Sequence, residues 1–175
     1  MNKRALIYGC IYAALVIIFK LVILLGGYTL TKFGFYYSNV VSILFIFPFF
    51  YLGIQQTRDK DLGGIISGRD SIKLALTILS ISVIFVSMYN YIEFNWKYKD
   101  IAIEYYNSRD YFNILTAQQI AHPDKLKVEN FPKIIEEQIS DLSAFKATTG
   151  KLIPMLFFGF GGAFVMAMFL KRSPK

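Results

Sequence analysis

The side chains that could carry chemistry are few, and the most unusual is Lys20, which lies inside a long apolar run. An ionisable group within a membrane-crossing segment is costly, so it is a candidate for a transport or relay role. The structural alternative is that its stem snorkels to the outer interface, or that its ammonium pairs with a neighbour, for which Glu93 is best placed. Both interpretations of Lys20 remain open from the sequence.

A second group of candidates lies between the second and third apolar runs. Arg58 and Asp59 are adjacent there, and the glycine pair Gly63 and Gly64 precedes Ser67. Glycines permit tight turns with positive φ. If the Arg-Asp pair pointed into a pocket, it would suit an enzyme that acts on lipid-linked sugars. If it lay across a helix end, its role would be structural.

A polar stripe on the third apolar run is the third candidate. Asn90 is adjacent to a series at helical spacing, formed by Lys73, Thr77, Ser80, Ser87 and Tyr91. Such side chains usually bond to neighbouring helices, and the functional alternative is the lining of a narrow polar path. Proton and ion paths usually add intramembrane carboxylates. No carboxylate lies deep in any apolar run, which argues against a coupled transporter.

Other chemistries find no support in the sequence. The chain has one histidine, His122, and one cysteine, Cys10, which are far apart. They cannot supply a zinc site or an intrachain disulfide. No nucleophile–base set and no glycine-rich phosphate loop is present. We therefore expect no enzyme activity, no cofactor and no metal.

Four apolar runs must position these residues, and each approaches or exceeds the length of about 20 residues that spans a bilayer as a helix. The 175 residues are 55% hydrophobic, and the mean hydropathy is +0.44. We predict an all-α integral membrane protein of one membrane domain, 1–175. Its four transmembrane helices are expected near 5–30, 35–54, 71–92 and 152–170.

The polar stretch 93–151 separates the third and fourth helices and is predicted to form an extramembrane helical hairpin. Its first helix is indicated by the spacing of Ile101, Tyr105, Phe112 and Leu115, and its second by that of Ile135, Ile139, Leu142 and Phe145. Within the first transmembrane run, we expect a bend or break near Gly26 and Gly27. The second run contains Pro48, which a kink can accommodate.

Charge predicts the orientation in the membrane. The ends of the chain and the 58–73 loop carry nine basic and three acidic residues, whereas 93–151 carries eight and nine. Lysine and arginine concentrate in cytoplasmic loops. We therefore predict a bacterial inner-membrane protein with both termini cytoplasmic and 93–151 periplasmic. The formal charge of +7 follows from this topology, and we expect no nucleic-acid partner.

Small residues at four-residue spacing predict close helix packing. Gly159, Ala163 and Ala167 form such a face on the fourth run, and Gly9 and Ala13 share a face with Lys20 on the first. The sequence leaves open whether the neighbouring helix belongs to this chain or another. The lipid bilayer is the expected surrounding, with a protein partner or a homo-oligomer through these faces.

The 53–67 segment resembles the domain-of-unknown-function 4199 (DUF4199) family of bacterial membrane proteins. The shared motifs are Gly53-Ile54, Arg58-Asp59, Leu62-Gly63-Gly64 and Ile66-Ser67, with Asn90-Tyr91 late in the third run. The chain departs from the pattern after Ser67, where Gly68-Arg69-Asp70 replaces an aromatic-glycine pair. The resemblance implies a four-span membrane fold, and a partner near lipid-linked glycosyltransferases, but no activity.

These observations predict an accessory or scaffolding subunit of a membrane complex. The alternative is a small channel or transporter that uses Lys20 and the polar face of the third span. The residues to follow in the structure are therefore Lys20, Arg58, Asp59, Gly63, Gly64, Ser67, Asn90 and Glu93.

Overall fold

A computed structural model describes residues 2–31, 33–123 and 127–172, and this part of the chain is helical throughout most of its length. Within these ranges four helices are long and apolar enough to cross a membrane. They extend over Lys3–Leu25, Ser38–Asp61, Gly68–Tyr106 and Ala144–Leu170. The predicted all-α class with four apolar helices is confirmed.

The chain divides into two compact units. The first takes in Met1–Tyr89 and Thr148–Lys175, and the second is Asn90–Ala147. The first unit contains most of the apolar helical surface, and the second contains most of the stretch predicted as the extramembrane insertion.

Helix α1, Lys3–Leu25, begins and ends at residues whose chemistry explains its bounds. The Asn2 side-chain oxygen accepts hydrogen bonds from the amides of Arg4 (2.9 Å) and Ala5 (3.3 Å), as an N-cap does. The helix stops at Gly26, and Gly27 has a φ of 73°. That left-handed conformation favours glycine, so the predicted break at Gly26 and Gly27 is confirmed.

The second span is interrupted rather than straight. Helix α2, Ser38–Leu44, and helix α3, Ile46–Gln56, are separated at Phe45. Proline has no N–H, and its ring collides with the carbonyl four residues earlier in a regular helix. For Pro48 that carbonyl belongs to Leu44, immediately before the interruption. The span then continues through a π-helical turn, Thr57–Asp61.

Both later spans are longer than the apolar runs predicted. Helix α4, Gly68–Glu93, continues through a π-helical turn, Phe94–Tyr98, into helix α5, Lys99–Tyr106. Helix α8, Ala144–Leu170, begins eight residues before the predicted 152. Hydropathy detects only the apolar part of a helix, whereas backbone hydrogen bonds continue into the polar turns at each end.

The core of the first unit is built around fully buried side chains of α1, α3 and α4, among them Tyr12, Phe50 and Ile78. The Tyr12 ring packs edge-to-face on Phe49, with centroids 5.6 Å apart. Its hydroxyl donates to the backbone carbonyl of Ser42 at 2.8 Å. A tyrosine that is completely buried thereby satisfies its polar end beside the interrupted segment of the second span.

Glycines of three other helices in the first unit pack closely against helix α4. Gly9 in α1, Gly53 in α3 and Gly159 in α8 all face it. A Cβ built on these glycines would lie 2.9, 2.6 and 2.5 Å, respectively, from the nearest side-chain carbon of α4. Small residues allow this approach in membrane helices. The small-residue face on α8 therefore packs against another helix of the same chain.

The second unit differs in detail from a simple two-helix hairpin. It contains α5, then helix α6, Arg109–Ala121, a short 3-10 turn, Val128–Asn130, and helix α7, Phe131–Ser140. The chain turns at Asn107 and Ser108, where the Ser108 hydroxyl caps α6 by accepting from the Tyr111 amide at 3.3 Å. The first predicted helix is thus two helices, and Phe145 belongs to α8. The hairpin itself is not confirmed.

The second unit has a small aromatic core of its own. Leu115 and Phe131 are buried, and the Phe131 ring packs edge-to-face on Phe112 with centroids 5.3 Å apart. Burial and the neighbouring phenols of Tyr106 and Tyr105 raise the pKa of Tyr111 above its ordinary value. The Tyr111 hydroxyl is therefore harder to deprotonate than an exposed phenol.

Filling the contact between α8 and α4 should destabilise the first unit. The Gly159→Leu variant would drive a branched side chain into Leu79, and overpacking of this kind costs about 1–3 kcal/mol. The matched control is Gly150→Leu, also in α8, where an added Cβ meets nothing within 4 Å. Thermal unfolding in detergent should show a lower midpoint for Gly159→Leu only. Equal midpoints for the two variants would contradict this packing.

Candidate functional site

The charged segment between α3 and α4 folds into a compact loop. The backbone of Arg58 accepts a hydrogen bond from the Gly64 amide at 2.8 Å. Two residues with positive φ, Gly63 at 62° and Gly64 at 90°, reverse the chain to make that contact. This explains in physical terms why a glycine pair stands at this point.

Arg58 is the central side chain of the loop and is only 6% exposed. Its guanidinium donates from Nε and Nη2 to the two carboxylate oxygens of Asp59, at 2.6 and 3.1 Å. A third bond runs from Nη1 to the backbone carbonyl of Leu170 at 3.3 Å. Leu170 ends α8, where the last carbonyls have no partner within the helix. Arg58 therefore lies across a helix end rather than in an open catalytic pocket.

The backbone beyond α8 is bonded to the same loop. Ile66 and Arg172 exchange two antiparallel hydrogen bonds, with N–O distances of 3.2 and 3.0 Å. This isolated bridge anchors the chain after α8 to the segment that leads into α4. The sequence gives no sign of it, because the two residues are far apart in the chain and neither belongs to a strand.

A bidentate ion pair joins the start of α1 to the loop. The Arg4 guanidinium contacts the two carboxylate oxygens of Asp61 at 2.6 and 2.7 Å. Its Nη1 also donates to the Gln56 side chain at 3.3 Å. Planar pairing of this kind fixes orientation as well as distance. A residue near each described end of the chain, Arg4 and Arg172, is thus bonded to one loop.

Ser67 caps the start of α4. Its hydroxyl accepts from the Asp70 amide at 3.0 Å and donates to the Asp70 carboxylate at 2.7 Å. The Ser-x-x-Asp spacing is that of a capping box, in which a serine satisfies a free amide of the first turn. Asp70, three residues after Ser67, therefore supplies the capping acid.

These contacts form one structural assembly, which we call the loop clamp. It consists of Arg4, Arg58, Asp59, Asp61, Ile66, Ser67, Asp70 and Arg172. It ties α1, α3, α4 and α8 together at the end of the first unit where both described termini lie. Of the predicted site residues, the structure brings together Arg58, Asp59, Gly63, Gly64 and Ser67.

Lys20 lies apart from the clamp and is buried, with 6% of its surface exposed. Its ammonium donates to the Asn39 side-chain oxygen at 3.5 Å. Gly9, Ala13 and Val16 are buried on the same helix face, so the predicted contact face of α1 is present. Burial favours structural pairing of Lys20 within the first unit over snorkelling along lipid.

Two hydroxyls of the polar stripe on the third span form hydrogen bonds within their own helix. Thr77 donates to the Lys73 carbonyl and Ser80 to the Leu76 carbonyl, both at 2.8 Å. Hydroxyls that bond four residues back within their own helix need no partner helix. This part of the stripe does not require a water-filled path.

Two predicted residues, Asn90 and Glu93, belong to the second unit. They are 4% and 5% exposed. The side-chain oxygen of Asn90 has no hydrogen-bond partner in the part of the chain that the structure describes.

The sequence did not single out Arg4, Asp61 or Arg172. Arg4 and Asp61 are 57 positions apart, and no local pattern links residues at that distance. The capping role of Asp70 could have been predicted from the sequence, because Ser67 and Asp70 have the capping-box spacing. Among the described residues, no three His, Cys, Asp or Glu side chains are grouped so as to hold a metal ion.

The fold and the loop clamp define a membrane protein with four apolar helices whose charged loop residues bind helix ends. Comparison with known families agrees with this description. The sequence profile of the family described as "Protein of unknown function (DUF4199)" matches residues 5–172, and the chain belongs to that family. Neither curated proteins nor solved structures gave a match.

Replacing Arg58 should loosen the end of α8. The Arg58→Met variant removes the donor to the Leu170 carbonyl and both bonds to Asp59, so we expect a loss of about 2 kcal/mol, or about 4–8 °C in a chain of this size. We expect that drop in the unfolding midpoint, with faster hydrogen exchange at the Arg172 amide. The exposed Lys60→Met control should change neither. If the two variants behaved alike, the clamp would not hold α8.

Proposed function

We propose that the protein is a non-enzymatic accessory or scaffolding subunit of a membrane complex. The loop clamp supports this, because the charged residues that might have served catalysis are used to join helix ends. Bilayer lipid surrounds the apolar helices. The candidate partner is a membrane enzyme that acts on lipid-linked sugars, a class suggested by the family resemblance alone.

The observation that carries the proposal is the outer face of α8. Its large apolar side chains are exposed on the side away from α4, and they are Phe157, Phe158, Phe160, Phe164, Val165, Met168 and Phe169. A groove of about 520 Å³ lies at this face, lined by Phe157, Phe158, Phe160, Phe164 and Val165 together with Gly161, Gly162 and Phe47 of α3. An added Cβ on Gly161 would meet nothing within 4 Å.

Such a groove suits a membrane helix of a partner protein. A glycine between large aromatic side chains lets a second backbone approach closely while the rings pack around it. The small residues predicted as the interface, Gly159, Ala163 and Ala167, are buried within this chain. The proposed docking surface is therefore the opposite, aromatic face, which the small-residue pattern did not indicate.

Filling the groove tests this proposal. Gly161→Leu places a side chain in the groove, and Gly150→Leu makes the same change on α8 outside it, so both gain the same helix propensity. After extraction in mild detergent, the unaltered chain and Gly150→Leu should retain one stoichiometric membrane protein, which Gly161→Leu should lose. Homogeneous protein without such a partner, or equal retention in both variants, would contradict the proposal.

We also propose that this unit lies in a bacterial inner membrane with both ends cytoplasmic and 93–151 periplasmic. The support is the excess of basic residues near the clamp and the common attachment of both described ends to one loop. In a Cys10→Ala background, a membrane-impermeant maleimide applied from outside should label Lys133→Cys and not Lys60→Cys. Labelling of Lys60→Cys alone would reverse the orientation.

The second candidate function is a small channel or transporter, because Lys20 is an ionisable side chain within the first apolar helix. A lysine that serves a permeation path should control flux when replaced. A loss of flux in reconstituted vesicles with Lys20→Met, without a change in assembly, would support this candidate and contradict the scaffold. Unchanged flux would leave Lys20 with a structural role.

A further inference from the structure

A cavity of about 340 Å³ opens beside the loop clamp, at the end of the first unit that holds both described termini. Its wall is formed by the N-cap of α1, the loop and the first turns of α4. The lining residues are Asn2, Thr57, Asp61, Leu62, Ile66, Asp70, Lys73, Leu74 and Thr77. The volume is in the range of small-molecule sites, and the wall combines apolar with charged groups, as such sites do.

The charged groups of this cavity are not equally available. The Asp61 carboxylate is held by Arg4 in the bidentate pair. Asp70 and Lys73 are three positions apart on α4, which places them on one helix face about 5–6 Å apart at Cβ. In the described ranges the two form no ion pair with each other, and Lys73 forms none elsewhere. One carboxylate and one ammonium thus stand side by side at the cavity.

The anion-binding part of the wall has further donors. The Asn2 side chain uses its oxygen to cap α1, which leaves the two N–H groups of its amide available. The N-cap of α1 and the first turn of α4 both border the cavity, and the positive ends of helix dipoles favour an anion. Together with Lys73, these groups suit a phosphate.

A buried hydroxyl in the wall also lacks a partner. Thr57 is 2% exposed, and its Oγ1 has no hydrogen-bond partner among the described residues. Buried polar groups are nearly always bonded, so an unpartnered one calls for an explanation. A phosphate or glycerol oxygen bound in the cavity would supply the missing acceptor.

We propose that this cavity binds the headgroup of a phospholipid that carries a primary ammonium, as phosphatidylethanolamine does. Lys73 and the Asn2 amide contact the phosphate, and the Asp70 carboxylate accepts hydrogen bonds from the ammonium. Leu62, Ile66 and Leu74 contact the glycerol and the first part of the acyl chains. The membrane itself supplies this ligand at the end of the apolar helices.

A zwitterionic headgroup fits best because the cavity offers one carboxylate, Asp70, beside one ammonium, Lys73. An anionic lipid would place its negative headgroup beside the Asp70 carboxylate without an ammonium to compensate it. A choline headgroup has a cation but no N–H to donate. A primary ammonium next to a phosphate matches both members of the Asp70 and Lys73 pair.

The test is native mass spectrometry of the purified, delipidated full chain titrated with defined lipids in detergent. Phosphatidylethanolamine should bind about tenfold more tightly than phosphatidylglycerol or phosphatidylcholine with the same acyl chains. Free phosphoethanolamine should not compete at the same concentrations, because it lacks the apolar part. Equal affinity for the three lipids, or competition by free phosphoethanolamine at the lipid's own affinity, would overturn the proposal.

Two variants locate the site. Lys73→Gln should weaken phosphatidylethanolamine binding about tenfold, since it removes the charged phosphate contact. Asp70→Asn retains an oxygen for the Ser67 hydroxyl, so α4 stays capped, but the preference over phosphatidylglycerol should disappear. The exposed Lys60→Gln control at the same end should bind normally. Loss of binding in the control, or full selectivity in Asp70→Asn, would place the lipid elsewhere.

A third variant separates binding from folding. Thr57→Val removes the unpartnered hydroxyl with little change in shape, so the lipid-free chain should unfold at the same temperature or higher. The added stability that phosphatidylethanolamine gives to the unaltered chain should nevertheless fall. A full lipid-induced shift in Thr57→Val would exclude the hydroxyl from the site and count against this placement of the phosphate.

Discussion

The structure of the first unit depends on the need to satisfy polar groups where apolar helices end. A helix in lipid bonds all its backbone groups except those in its last turn at each end. Arg58 meets this need for α8 by donating to the Leu170 carbonyl, and Ser67 meets it for α4. Because both residues belong to one short loop, the helix ends are held together as well as capped. The arrangement of the four apolar helices follows from that loop and from the close approaches to α4.

The close approaches explain why small residues recur along the chain. Gly9, Gly53 and Gly159 lie on three different helices, and each leaves no room for a side chain against α4. A helix packed this tightly on its inner side presents its bulky residues on the outer side, as α8 does with its phenylalanines. Along α8, Gly159 packs on α4 and Gly162 on Phe47 of α3, whereas an added Cβ on Gly161 would meet nothing. The aromatic surface around Gly161 is thus left for lipid or a partner.

Polar groups inside the apolar region fall into distinct environments, which bears on the channel interpretation. Thr77 and Ser80 bond back to their own helix, whereas Lys20 is buried against Asn39. The channel alternative combines Lys20 with the polar stripe of the third span as one feature. In the structure some of them serve the helix that carries them and others serve contacts between helices, so they do not form one continuous lining.

The sequence by itself determined the helical class, the four apolar spans and the break at Gly26 and Gly27, because these depend on local hydropathy and on backbone preferences. It also placed Arg58, Asp59, the glycine pair and Ser67 in one loop, since they are neighbours in the chain. It could not determine the ends of α4 and α8, where helices continue into polar residues without an apolar signal. Nor could it pair Arg4 with Asp61 or Ile66 with Arg172, or show which face of α8 is already occupied. Those contacts join residues that are distant in sequence, and only the packing of the helices brings them within bonding distance.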